Sequence, residues 1–156
     1  MESPQEPRWL DPEESRSWRA LVRVMVGLLA AMDALLRRDA GVSHYEYSVL
    51  ALLSEAPDRT MRMSSVANLT EGSLPRLSQV VTRLELRGWV RRTPDPTDGR
   101  YTLAILTEEG FVKVTETAPG AVEEVRRLVL DPLTKTQIRQ LGEICRRILH
   151  AIDPAD

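Results

Sequence analysis

One stretch of this 156-residue chain limits its fold more than any other. It runs from Arg62 to Leu106 and reads RMSSVANLTEGSLPRLSQVVTRLELRGWVRRTPDPTDGRYTLAIL. The pattern predicts two short helices, a turn between them, and then a two-stranded hairpin. In the second helix Ser73 can cap the first turn through its hydroxyl oxygen. Pro75 follows where a missing N–H costs little. Leu77, Val80, Val81 and Leu84 recur at helical spacing and form a buried stripe. The other face carries Arg76, Ser78, Gln79, Thr82 and Arg83, side chains that hydrogen-bond base edges and phosphates. Gly88 after Arg87 is a natural helix stop. The first helix of the pair is expected to be capped by Ser64 or Ser65, with Val66, Ala67 and Leu69 facing inward. Glu71-Gly72 makes the turn, and the small residues Ala67 and Gly72 allow close packing.

Trp89-Val90-Arg91-Arg92-Thr93 alternates apolar and polar character, as a half-buried strand does. Tyr101 to Leu106 is the return strand. Between them lies Pro94-Asp95-Pro96-Thr97-Asp98-Gly99-Arg100, a charged, turn-rich loop stiffened by two prolines. Gly99 permits a sharp bend. Asp95 or Asp98 can pair with Arg100 and shape the loop. Alternatively Arg100 points outward, toward a minor groove whose potential attracts arginine. An isolated hairpin of this kind reads as a solvated tip. Directly after a helix-turn-helix it reads as a β-wing.

The runs Arg-Gly-Trp-Val-Arg-Arg (87–92), Asp-Pro-Thr-Asp-Gly-Arg (95–100) and Leu-Thr-Glu-Glu-Gly (106–110) resemble the signature of the MarR family of bacterial regulators. The resemblance extends from about Asp11 to Ile152. It implies an obligate homodimer of winged-helix subunits binding pseudo-palindromic promoter DNA, usually as a repressor that a small ligand releases. The effector class to test is small aromatic or phenolic compounds. On this reading the helix beginning at Ser73 and Pro75 enters a major groove. Arg76, Ser78 and Gln79 are the candidates for base contacts, and Arg83, Arg91 and Arg92 for phosphates. Arg100 lies in or beside the wing, which Asp95, Asp98 and Gly99 shape. Many relatives carry a basic residue where this chain has Gly99. Arg100 is then the loop's only arginine, and if an aspartate holds it the wing touches only the backbone.

The formal net charge is −2, which argues against a nucleic-acid partner until its distribution is considered. From Arg59 to Arg100 eight arginines face four acids, a local +4, while the remainder carries −6. A basic reading head on an acidic body suits a specific DNA binder. Arginine supplies 19 of the 21 basic residues and is the better bidentate donor to guanine and phosphate. The single cysteine, Cys145, excludes an internal disulfide. It falls in the last helical pattern and reads as a buried, inert thiol. Redox-sensing relatives carry a reactive cysteine near the start of the first helix, where this chain has none. The N-terminal dozen residues do not read as a signal peptide. No run reaches the roughly 18 apolar residues of a membrane span, and a cytoplasmic protein is expected. His44 and His150 lie in different elements, so no metal site is expected. No glycine-rich phosphate loop, catalytic triad or paired Cys-x-x-Cys is present, so neither an enzyme nor a cofactor is expected.

The remaining chain is mostly helical. Asp11 caps a first helix with Pro12 at its first position and Glu13 and Glu14 on its positive end. That helix is apolar nearly all round, which requires cover on more than one side. A partner subunit provides it; a ligand pocket lined by its methionines and tryptophan is the other reading. Ser43 starts a second helix, which Pro57 ends. Thr60 to Met63 reads as a short strand beside the wing. Thr107 caps a later helix, which Ala118-Pro119-Gly120 should kink or interrupt. Thr134 and Gln137 form a capping box for the last helix. The expected fold is mainly α with a small β-wing. Residues 1–10 form a loose N-terminal segment, 11–40 and 107–152 a helical dimerisation region, and 43–106 the winged helix-turn-helix. The expected function is a homodimeric DNA-binding regulator. The alternatives are a winged-helix module that binds protein, or a small-molecule binder without regulation.

Overall fold

The computed structural model describes residues 7–70 and 72–153. Residues 1–6 of the expected loose segment, and Glu71 of the expected turn, lie outside the described residues. The element order is α1 (Pro12–Ala40), α2 (His44–Glu55), β1 (Thr60–Arg62), α3 (Met63–Leu69), α4 (Leu74–Leu86), β2 (Val90–Pro94), β3 (Thr102–Leu106), α5 (Glu108–Val125) and α6 (Lys135–Ile152). A π turn over Arg126–Leu130 leads from α5 toward α6.

The helix starts follow local chemistry. Asp11 accepts from the N–H groups of Glu13 and Glu14, and Glu14 returns a bond to the Asp11 N–H. Ser43 with Glu46 and Thr134 with Gln137 make the same reciprocal cap. Gly41 ends α1 in the left-handed region at φ 66°. Gly88 does the same beyond α4 at φ 74°, a conformation glycine adopts without a Cβ penalty.

The three strands form one antiparallel sheet in the order β1-β3-β2. Thr60 faces Ile105 and Arg62 faces Leu103 across one edge; Val90 faces Leu106 across the other. One core joins α2, α3, α4 and the sheet around Leu50, Leu53, Val66, Leu77, Val81 and Leu84. A smaller one joins α1 and α5 through Met32, Leu36, Val42 and Ala121. Trp89 packs against both and ties the larger core to the α1–α5 pair. An added Cβ on Gly110 would lie 2.1 Å from the Trp89 carbonyl oxygen, so only glycine allows the start of α5 to close on the backbone just before β2.

Four local expectations require correction. Neither Ser64 nor Ser65 caps α3; Arg62 holds the cap position without a side-chain bond. Arg62 is still paired with Leu103 in the sheet, so the strand runs directly into the helix. Leu69 does not face inward but is exposed, because α3 ends there on the rim of an open cleft. α5 continues without interruption through Pro119. Its far side is anchored by buried Ala121 against α1, which offsets the single backbone bond that proline removes. Cys145 is exposed, not buried, because the apolar stripe of α6 has no cover among the described residues. Trp9 and Leu10, in the expected loose segment, are exposed.

Candidate nucleic-acid interface

Helix α4 buries Leu77, Val80, Val81 and Leu84 and turns the rest of its surface outward. Helical spacing puts Pro75, Gln79, Thr82 and Leu86 on the outermost ridge, and all four are exposed. Ser73 accepts from the Arg76 N–H and starts the helix, as its sequence indicates.

The arginines beside this ridge are held in defined places. On one flank the Arg76 guanidinium lies 4.3 Å from the centroid of the Tyr45 ring, a cation–π stack. Thr70 Oγ1 gives its only proton to the Val66 carbonyl at 2.7 Å. Tyr45 therefore donates its hydroxyl to Thr70 Oγ1, at 3.1 Å. A Cβ on Gly72 would sit 2.0 Å from that hydroxyl oxygen, so any larger residue there must displace the Tyr45 side chain. Arg83 donates from Nε to Glu46 Oε1 at 3.0 Å. Burial pushes the Glu46 carboxyl up, but bonds from the Ser43 N–H and Arg83 outweigh it and leave it below its usual value. Two consecutive residues of α2 thus position two arginines of α4.

On the other flank Arg92 reaches from β2 onto α4. Its Nη2 meets Glu85 Oε2 at 2.6 Å and Thr82 Oγ1 at 3.0 Å, and its Nη1 meets Ser78 Oγ at 3.2 Å. Its backbone N–H also donates to Glu85 Oε1 at 2.9 Å. The Arg92 guanidinium holds the Glu85 carboxyl below the usual range. Expected from sequence as a phosphate ligand, Arg92 stands in this structure as a clamp between wing and helix. Arg91, next along β2, is exposed and makes no ion pair among the described residues.

The wing loop divides its two aspartates between two arginines. Asp98 takes Arg100, with Nη2–Oδ2 at 2.7 Å, although the Arg100 side chain remains 84% exposed. Asp95 takes Arg62 at 2.8 Å and accepts from the Thr97 hydroxyl at 2.7 Å and the Thr97 N–H at 2.9 Å. The Thr97 bonds first, then Arg62, lower Asp95 to about 2. Arg62 also stacks 4.3 Å from the Tyr101 ring centroid. Gly99 is not in the left-handed region, so the bend is made without its special freedom.

Sequence reasoning missed Tyr45, Glu46, Arg62 and Glu85. Only Glu46 carried a signal, as the third residue of a Ser43 capping box. Among the described residues no group of His, Cys, Asp or Glu is placed to hold a metal ion, and no helix is long and apolar enough to cross a membrane.

An outward helix of arginine, glutamine and hydroxyl groups, buttressed by a hairpin wing, defines a winged helix-turn-helix protein that binds DNA. The MarR family profile matches residues 40–100. Sco3205 of Streptomyces coelicolor, a MarR family regulator solved in complex with DNA, is 43% identical, with a TM-score of 0.92 over 97% of this chain and 95% of that one. AbsC, a MarR family regulator of the same organism, is 33% identical, with a TM-score of 0.88 over 94% of this chain and 98% of that one. CouR of Rhodococcus jostii RHA1, solved bound to p-coumaroyl-CoA, is 28% identical, with a TM-score of 0.72 over 85% of this chain and 88% of that one. The chain belongs to the MarR family of transcriptional regulators: it is a DNA-binding regulator and not an enzyme.

Proposed function

We propose that the chain works as a homodimer on pseudo-palindromic promoter DNA, as a repressor that a small aromatic ligand releases. The observation that carries the dimer is an apolar surface too large for one chain to hide. Val24, Met25, Val26 and Leu29 of α1 are exposed, as are Ile144 and Leu149 of α6. Exposed apolar patches on two helices of one chain mark an interface. On this reading residues 11–40 and 107–152 form the dimer body, and 43–106 the reading head. A two-fold axis then sets two copies of α4 about one helical turn apart. Arg76, Ser78 and Gln79 read bases, Arg83 and Arg91 contact phosphates, and Arg100 lies beside the wing.

An apolar cavity of about 340 Å3 supports the ligand reading. It is lined by Met32, Tyr47, Ala51, Ala121, Val122 and Val125, between α1, α2 and α5. The volume lies at the lower end of the range for small-molecule pockets, and one relative, CouR, was solved with p-coumaroyl-CoA bound. The test is a footprint on the intergenic DNA beside the gene, repeated with phenolic acids and their thioesters. We expect a symmetric protected site that a ligand abolishes, with the ligand weakened on DNA by the same factor. An asymmetric footprint from a monomer would contradict the proposal.

A further inference from the structure

We propose that Leu74 reads a thymine, by packing against its C5 methyl group in the major groove. The inference rests on α4 being the helix that enters that groove. Leu74 is its first residue, and the N-terminal residues of a recognition helix are those that meet base edges. It is half exposed, beside polar Ser78 and the ridge of Pro75, Gln79 and Thr82. Leucine at such a place gains nothing from water. The side chain cannot donate or accept a hydrogen bond, so it cannot read guanine, cytosine or adenine directly. The thymine methyl is the one apolar group that a major-groove base edge presents. Leu74 also borders, with Met63 and Tyr101, an open notch of about 230 Å3 between α4 and the wing, so among the described residues its outer half stays uncovered.

The test begins with an operator selected from random duplexes by the full-length protein. Each thymine in one half-site is then replaced in turn by deoxyuridine, which removes only the methyl group. One position should weaken binding by about fourfold, the effect of burying one methyl group. Leu74→Ala should bind thymine and deoxyuridine equally at that position, while Leu74→Met should keep a preference. Circular dichroism of each variant checks that α4 is formed. Gln79→Ala tests the placement of α4 separately. If Gln79→Ala binds as tightly as the wild type, the placement of α4 fails and this inference with it. If Gln79→Ala weakens binding but the deoxyuridine scan is flat, Leu74 rests on sugar and only the thymine assignment falls. A selected half-site without thymine, or a Leu74→Ala protein that still discriminates, also overturns it.

Discussion

Arg92 and Glu85 are joined twice, by the backbone N–H of Arg92 at 2.9 Å and by its guanidinium at 2.6 Å. This pair ties β2 to α4. Both side chains are less than a third exposed, so solvent competes weakly for either.

The clamp predicts a division between adjacent arginines. Arg92→Ala should lower unfolding stability by ~1.5–3 kcal/mol, the range for a bond to a charged partner, and leave the salt dependence of DNA binding unchanged. Arg91→Ala should leave stability unchanged and reduce the salt slope by about 1. Urea unfolding and salt titrations check both. A slope flattened by the loss of Arg92 would return it to the phosphate contacts.

Asp95 should make the wing acid-sensitive. Its folded-state value of about 2 lies below the ordinary 3.8. Its stabilising contribution is therefore complete above pH ~4 and lost as pH falls toward 2. Asp95→Asn should lower stability at pH 6 and flatten the profile between pH 4 and 2. Unfolding curves across that window measure it; parallel profiles for both proteins would remove Asp95 from the wing's support.

Gly110→Ala should destabilise by ~1–3 kcal/mol, since the new methyl group meets the Trp89 carbonyl oxygen and neither backbone can yield cheaply. Gly120→Ala, on the same helix with open space around it, should not. Thermal melts of the two proteins provide the comparison.

Ile144→Lys should separate assembly from folding. Ile144 is 54% exposed on one chain and outside both cores. The variant should stay folded, sediment as a monomer, and lose roughly 10²-fold or more in operator affinity as bivalent binding is lost. A variant that remains dimeric would move the interface elsewhere on the chain.

Much of this architecture was legible along the chain because the relevant forces are local. Asp11 with Glu14, Ser43 with Glu46, and Thr134 with Gln137 announce their helices over three residues. The apolar stripe of α4 follows from its 3.6-residue period, and the wing from strand alternation. What only the tertiary structure decided is the partner of each arginine. Arg83 finds Glu46 across 37 residues, and Arg62 finds Asp95 across 33. A long cation pairs with whichever carboxylate packing brings within about 4 Å, and no periodicity encodes that choice. The same holds for Leu69 and Cys145, whose apolar neighbours in sequence indicate burial while their place at a helix end and on an uncovered face leaves them exposed.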